Sequence, residues 1–391
     1  MIFHIDIDAF FATVEINKNS NLKNLPVIVC GKSSRSVVSS ANYLARNYKI
    51  KAGMPVWQAN TLCPKLINIT IDENNFQTYE KFSHLFIELL RHRFSKKIEQ
   101  ISIDECYLQI ESDNKKKTLI IAQKIKKMIF EKLSLFVSIG IGANKFLART
   151  ATQFGKPNGI FLLDNHLFKT KVWPLPINQM LYVGNKLADK LNQIGISTIG
   201  DLVNFSNKQL LKNIFGKQYS YYLNHANGVC FETINDKRYI FKSISCEKTF
   251  ASDIYEEQEF LNQLYQLCQK NYLRMISRGL MCKTIHLKIK YSNFHTQVLS
   301  ATFSDYTRNL HFLHQTAIRL FEKNCQIAKK PIRLIGISYA KLMYVSDNPN
   351  PPKLFEKQLS KQQCQLLKII NDINKKIGEH NVDLACNLLI Q

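Results

Sequence analysis

Two remote stretches of this chain carry carboxylates at a spacing that suits oxygen-coordinated metal chemistry. In "SIDECY", residues 102–107, Asp104 stands beside Glu105. Before the pair, Ile101 and Ile103 alternate on odd numbers; after it, Cys106, Leu108 and Ile110 alternate on even numbers, so the strand phase flips at the acids. A two-residue hairpin turn at Asp104-Glu105 would restore one face, pairing Ile103 with Cys106 and Ile101 with Leu108, with the acids at its tip. On this stretch alone, a solvated acidic turn is the plainer reading. The second stretch, "FHIDIDAFF" at 3–11, alternates Phe3, Ile5 and Ile7 against His4, Asp6 and Asp8. Carboxylates on one strand face repel unless a cation or donors lie between them. If this strand lies beside the acidic ribbon, Asp6, Asp104 and Glu105 form one cluster without His or Cys, a donor set that favours Mg2+ or Mn2+. Two such ions can activate an attacking hydroxyl and stabilise a leaving pyrophosphate.

The elements that must position these acids are legible from periodicity. Strands are expected at 2–8, 27–30, 98–103, 106–110 and 135–140, and helices at 76–94 and 117–132, an α/β or α+β pattern over the first 160 or so residues. From 164 to 232, short helical pieces punctuated by Gly184, Gly195, Gly200, Gly216 and Gly228 suggest a small all-helical unit. "TINDKRY" at 233–239 reads as a linker. Strands at 285–291, 297–303 and 332–341 then mix with helices at 256–277 and 308–326, and "SDNPNPPK" at 346–353 should break any element before a final helical tail.

Composition narrows the partners. With 53 Lys and Arg against 30 Asp and Glu, the net charge of +23 points to a polyanion, nucleic acid before membrane surface. No apolar run approaches a membrane span, and the opening MIFHIDIDAF lacks the order of an export signal. Ten dispersed cysteines without a C-x-x-C pair imply reduced thiols and a cytoplasmic location, not a zinc site. The region 233–345 holds 17 bases against 8 acids. In its strand "IHLKIKY", Ile285, Leu287, Ile289 and Tyr291 would face a core while His286, Lys288 and Lys290 face outward, about 7 Å apart, a row that suits a phosphate backbone and reads no sequence. A merely solvated strand face is as good a reading of that strand alone.

"HIDIDAFFATVE", "SSANYLARNYKIKAGMP", "SIDECYL", "IGIGANKFLARTATQFGKPNGI" and "KSISCEKTF" occur in the order, and at about the spacing, found in Y-family DNA polymerases. The resemblance covers residues 1–345 and is closest to the bacterial DNA polymerase IV (DinB) group, with UmuC-like features in the tail. It implies an α+β multidomain, right-hand-like polymerase: a ferredoxin-like palm (1–11 and 75–163), small fingers (12–74), a helix-hairpin-helix thumb (164–232), a linker (233–242), an α/β little finger (243–345) and a C-terminal tail (346–391).

The resemblance further implies an error-prone translesion enzyme that adds dNTPs to a primer on template DNA. Asp6, Asp104 and Glu105 would bind two Mg2+ with the backbone carbonyl of Ile7, Asp8 being structural. Phe11 would be the steric gate against ribonucleotides, with Phe10 in the core. Tyr43 and Arg46, three apart on one helix face, would hold the triphosphate with Ser40 and Lys156. Lys242, Lys248, His286, Lys288, Lys290, Arg333 and Lys341 would contact DNA. Departures occur in the thumb, where the family's Pro-Gly-x-Gly turn reads Leu181-Tyr182-Val183-Gly184, and in the tail, where "PPKLF" keeps only Leu354 and Phe355 of a sliding-clamp peptide. "IGIGANK" contains G-x-G without the spacing or acidic partner of a dinucleotide site, and resembles the palm's strand-to-helix junction. A monomer is expected. Two rivals remain: a nucleotide cyclase, which shares strand-borne carboxylates and two metals but needs no large basic region, and a catalytically silent DNA-binding or clamp-associated protein, against which the intact acidic trio argues.

Overall fold

The computed structural model describes residues 1–71, 73–112, 114–236, 241–324, 330–347 and 369. The chain divides into two compact units, one of residues 1–32 with 36–237, the other of residues 33–35 with the chain from 238 onward. The first unit runs β1 (Ile2–Ile7), α1 (Phe10–Lys18), β2 (Val27–Cys30), β3 (Val38–Ala41), α2 (Tyr43–Asn47), α3 (Val56–Leu62), β4 (Ile67–Thr70), α4 (Glu73–Arg93), β5 (Ile98–Gln100), β6 (Glu105–Gln109), α5 (Lys115–Leu133), β7 (Val137–Gly142), α6 (Lys145–Gly155) and β8 (Ile160–Leu162). Five short helices follow: α7 (Asn165–Lys171), α8 (Asn185–Asn192), α9 (Ile199–Asn204), α10 (Lys208–Phe215) and α11 (Tyr219–Ala226). The second unit contains β9 (Ser243–Ile254), α12 (Glu257–Ile276), β10 (Leu280–Tyr291), β11 (Thr296–Thr307), α13 (Leu310–Asn324) and β12 (Ile332–Tyr344).

The catalytic candidates ride on a five-stranded sheet of order β5-β6-β1-β7-β8, in which β1 is antiparallel to both neighbours. Phe3, Ile5 and Ile7 of β1, Cys106 and Leu108 of β6, and Val137, Ile139 and Ile141 of β7 share one core with Phe86 and Leu90 of α4 and Ile125 and Ile129 of α5. Each such side chain stabilises by about 1.5–3 kcal/mol when fully buried, which fixes which face of β1 points inward. The opposite face is buried too: His4, Asp6 and Asp8 are only 1%, 5% and 3% exposed. The cause lies in "IGIG". A Cβ on Gly140 would sit 2.1 Å from the Ala148 carbonyl oxygen, and one on Gly142 would sit 2.6 Å from Leu147 Cβ. Those glycines let α6 lie directly against the sheet backbone, while the intervening isoleucines fill the core.

The acidic ribbon differs from the expected hairpin. Gln100 pairs with Cys106 and Ile98 with Leu108, so β5 stops at Gln100 and residues 101–104 form a loop. Ile101 N–H still donates to the Glu105 carbonyl at 3.0 Å, but its side chain is 39% exposed. The physical reason is that β1 sets the register: Asp6 pairs with Glu105 and Ile5 with Cys106, leaving Ile103 outside any strand.

A three-stranded sheet of order β3-β2-β4 lies between α1 and α4 in the chain, with β4 parallel to β2. Neither β3 nor β4 was expected. Asn42 ties this part together, its side chain accepting from Val27 N–H at 3.0 Å and Ala45 N–H at 2.9 Å, so that one residue caps α2 and holds the start of β2. Helices α7 to α11 share a core with α6, in which Phe168, Leu191, Ile196, Ile199, Leu202 and Leu211 meet Phe146 and Leu147. Between α8 and α9, Gly195 takes φ 83°, and Thr198 with Asp201 forms a reciprocal capping box, so "IGISTIGDL" turns the chain from α8 into α9.

In the second unit an antiparallel sheet of order β11-β10-β12-β9 packs one face against α12 and α13. Ile285, Leu287 and Ile289 are fully buried there, as expected. "KSISCEKTF" forms most of β9, a strand that periodicity did not reveal, because Lys248 stands on the helix side between Cys246 and Phe250 and breaks the apolar alternation. Among the described residues no helix is long and apolar enough to cross a membrane, and Cys30, Cys63, Cys106, Cys230, Cys246, Cys268 and Cys282 are free thiols. Leu354, Phe355 and nearly all of the tail lie outside the described residues.

Candidate active site

Strand pairing joins the two acidic stretches. Asp6 stands opposite Glu105 in the β1–β6 register, and Ile7 N–H donates to the Asp104 carbonyl at 3.0 Å. Residues almost a hundred positions apart thus present three carboxylates at one end of a rigid sheet. Protein cations and hydroxyls hold them. Lys156 Nζ lies 2.8 Å from Asp6 Oδ2, Arg149 donates to Glu105 Oε2 at 3.1 Å, and Ser102 Oγ donates to Asp104 Oδ1 at 2.5 Å. Burial pushes the Asp6 carboxyl up to about 7, against the pull of Lys156 and helped by Glu105. Burial likewise raises Asp104. Among the described residues no three acidic, histidine or cysteine side chains converge on a single point as they stand. The donor set nevertheless fits hard divalent ions, being all oxygen, and these buried like charges are what such ions would neutralise.

Asp8 has a different environment from Asp6. Its carboxylate accepts from Tyr43 hydroxyl at 2.9 Å, from Ser138 Oγ at 2.9 Å and from Asn158 N–H at 2.7 Å. Those partners come from α2, β7 and the turn after α6, so Asp8 brackets three elements. On the same face as Asp6, His4 Nδ1 lies 2.8 Å from Thr152 Oγ1 and Nε2 4.0 Å from Glu105 Oε2, and burial lowers its pKa to about 3, so the ring stays neutral.

The other sequence candidates fall around this centre. Phe10 is 3% exposed in the core, whereas Phe11 is half-buried and stacks on Tyr79 with ring centroids 4.3 Å apart. Arg46 lies 4.6 Å over the Tyr43 ring, so the two do share a face, but the Tyr43 hydroxyl is turned to Asp8. Ser40 is buried, its Oγ accepting from Ala12 N–H at 3.4 Å, and ties β3 to α1. Lys156 is engaged by Asp6. Arg149 was missed; it lies on α6, whereas Lys156 follows the helix in extended conformation, so no helical spacing linked the two.

In the second unit, Lys288 pairs with Glu247 at 2.8 Å across Gly336, whose missing side chain leaves room for the pair. His286, Lys288 and Lys290 share the sheet face away from the helices. Lys248 does not join them, because it pairs with the buried Ile335 and so points to the helix side. Lys290 and Arg333 lie 4.8 Å and 4.7 Å from the Phe294 ring, and Lys242 and Lys341 are exposed.

The sequence matches the impB/mucB/samB family over residues 5–153 and that family's C-terminal domain over residues 241–354. A DNA polymerase IV from Ureaplasma parvum is 35% identical over 347 residues, covering 88% of this chain and 94% of its own. One from Bacillus anthracis is 32% identical, covering 97% and 91%. The chain belongs to the Y family of DNA polymerases, in its DNA polymerase IV branch. Among solved structures, a Y-family polymerase chimera is 26% identical with a TM-score of 0.77, covering 88% of this chain and 99% of its own. An insertion ternary complex of Dbh DNA polymerase is similar at a TM-score of 0.62, with the same identity and coverage. These likenesses agree with a hand of palm, fingers, thumb and little finger for a family member of this length.

Proposed function

We propose that this DNA-directed DNA polymerase adds dNTPs to the 3′ end of a primer on damaged template DNA, by a two-metal mechanism and without proofreading. The observation that carries the reading is the register that sets Asp6 against Glu105 with Asp104 tied to Ile7. Asp6, Asp104, Glu105 and the Ile7 carbonyl would hold two Mg2+ ions. Bound there, such ions supply a lowered hydroxyl pKa and neutralise charge on a leaving pyrophosphate. The primer 3′-oxygen gives up its proton to solvent and bonds to the α-phosphorus, the bridge to the β-phosphate breaks, and pyrophosphate departs. No side-chain nucleophile is needed, so positioning and electrostatics are the protein's contribution.

Each side chain then has a defined task. Lys156, which balances Asp6, and Arg46 would be the cations that meet the triphosphate. Tyr43, held by Asp8, keeps the ring on which Arg46 rests. Phe11, braced by Tyr79, presents a ring where a ribose 2′-hydroxyl would otherwise fit. The basic sheet face of the second unit takes the template-primer backbone through phosphate contacts. Primer extension with wild type and Asp104→Ala tests the assignment: Mg2+-dependent extension by the wild type, stopped by chelation and absent in the variant, is expected. Extension that persists in the variant would remove these carboxylates from catalysis.

A further inference from the structure

Helix α1 buries an acid one turn beyond Phe11. Glu15 is 7% exposed, on the same helix as the buried Phe10, Ala12 and Val14. A carboxylate taken out of water needs donors and countercharge. Three groups converge on its Oε1: Tyr79 hydroxyl donates at 2.7 Å, Lys18 Nζ at 2.8 Å and Asn75 Nδ2 at 3.1 Å. The phenol contact is short, as a hydrogen bond to a charged acceptor should be.

The spacing makes a ladder between two helices. Phe11 and Glu15 are four apart on α1, and Asn75 and Tyr79 are four apart on α4, so each pair shares a helix face. On one rung Glu15 meets Asn75 and the hydroxyl end of Tyr79. On the other the Phe11 ring lies on the Tyr79 ring, with centroids 4.3 Å apart and planes 19° from parallel. Phe10 closes the cluster, its centroid 5.4 Å from Phe11 and 6.2 Å from Tyr79. Tyr79 is fully buried, whereas Phe11 is half-buried and keeps part of its ring open. Packing alone leaves a ring some freedom to tilt; a satisfied hydrogen bond at its far end removes that freedom.

We propose that Glu15 is a positioning residue for sugar selection: it anchors the Tyr79 hydroxyl, so that the Tyr79 ring holds Phe11 in place against the sugar of an incoming nucleotide. This rests on the reading of Phe11 as the steric gate and adds to it what keeps the gate from yielding. The extra oxygen of a ribose is small, so a slight retreat of the gate ring would admit it. Glu15 acts on the nucleotide only through Tyr79 and Phe11. A tie that merely joined α1 to α4 would instead change dNTP and rNTP incorporation alike.

The test is the ratio of kcat/KM for paired dNTP and rNTP in single-nucleotide primer extension. It is measured for wild type, Tyr79→Phe, Glu15→Leu, Phe11→Ala and the double variant Tyr79→Phe/Phe11→Ala. Tyr79→Phe keeps the stacked ring and removes the anchored hydroxyl, whereas Glu15→Leu removes the acceptor. One net hydrogen bond corresponds to about three- to tenfold. Each of these two variants should lower discrimination by that factor through a gain on the rNTP, with dNTP kcat/KM within about twofold of wild type. In the Phe11→Ala background Tyr79→Phe should change the ratio no further, because the ring it positions is gone. Wild-type discrimination by Tyr79→Phe, or an equal loss with and without Phe11, would overturn the proposal. If Glu15→Leu does not fold, Tyr79→Phe and the double variant still decide. A wild type that extends with no dNTP would instead overturn the polymerase reading, and full discrimination by Phe11→Ala would overturn the gate.

Discussion

Asp6 and Asp8 sit two residues apart at the same end of β1, and removing each should give opposite signatures. Asp8→Ala leaves Ser138 Oγ, Tyr43 hydroxyl and Asn158 N–H without their acceptor. An orphaned buried donor costs about 1–3 kcal/mol. Ser138 is fully buried and must bear the whole penalty, whereas Tyr43 is half-buried and Asn158 exposed, so water can replace part of theirs. The sum is about 3–5 kcal/mol, or about 10 °C in melting temperature for a unit of this size. Asp6→Asn removes one of several crowded carboxylates at the price of one Lys156 contact, so it should melt within a few degrees of wild type. Thermal unfolding and primer extension of the two variants, the latter well below their melting points, read both quantities. Asp8→Ala should be fragile but still extend primers; Asp6→Asn should be sturdy and inactive. An Asp8→Ala protein as stable as wild type and as inactive as Asp6→Asn would make Asp8 a metal ligand and refute the bracket.

Phe11→Ala should lower discrimination against ribonucleotides by at least about tenfold, the scale of one lost steric contact, in competition assays with paired dNTP and rNTP; unchanged discrimination would place the gate elsewhere. Glu247→Gln frees Lys288 on the open sheet face and should steepen the dependence of log K for duplex DNA on log salt by up to ~0.9, measured by anisotropy titration; an unchanged slope would take DNA off that face. Gly140→Ala drives a Cβ into backbone atoms of α6 and should destabilise by at least about 3 kcal/mol in urea melts, whereas Gly155→Ala, whose nearest neighbour would be 3.5 Å away, should be tolerated. Equal stability of the two variants would show that α6 can move off the sheet.

Alternation was a sound guide wherever one face of a strand meets a continuous apolar core. Phe3, Ile5 and Ile7 declared β1, and Ile285, Leu287 and Ile289 declared β10, because burial of those residues outweighs every local preference. The same rule misled at 101–103. Ile101 and Ile103 carry the right spacing for β5, yet they belong to a loop, since the turn length is dictated by how β6 pairs with β1 and not by the isoleucines themselves. Alternation also says which residues avoid the core without saying what covers them. His4, Asp6 and Asp8 avoid it and are buried nonetheless, under α6.

The carboxylates were legible because their chemistry is unusual in a basic chain. Lys156 and Tyr43 were named for the triphosphate and not as partners of acids, and Arg149 was missed because lysine and arginine are abundant. Of 53 basic residues, the few that matter at the site are selected by α6, which can approach β1 only where Gly140 and Gly142 leave no side chain. That approach sets Arg149 on Glu105 and Lys156 on Asp6. Both balancing cations therefore come from α6 and from the residue that ends it. The two glycines of "IGIG", which carry no chemistry of their own, thus determine where both balancing cations stand.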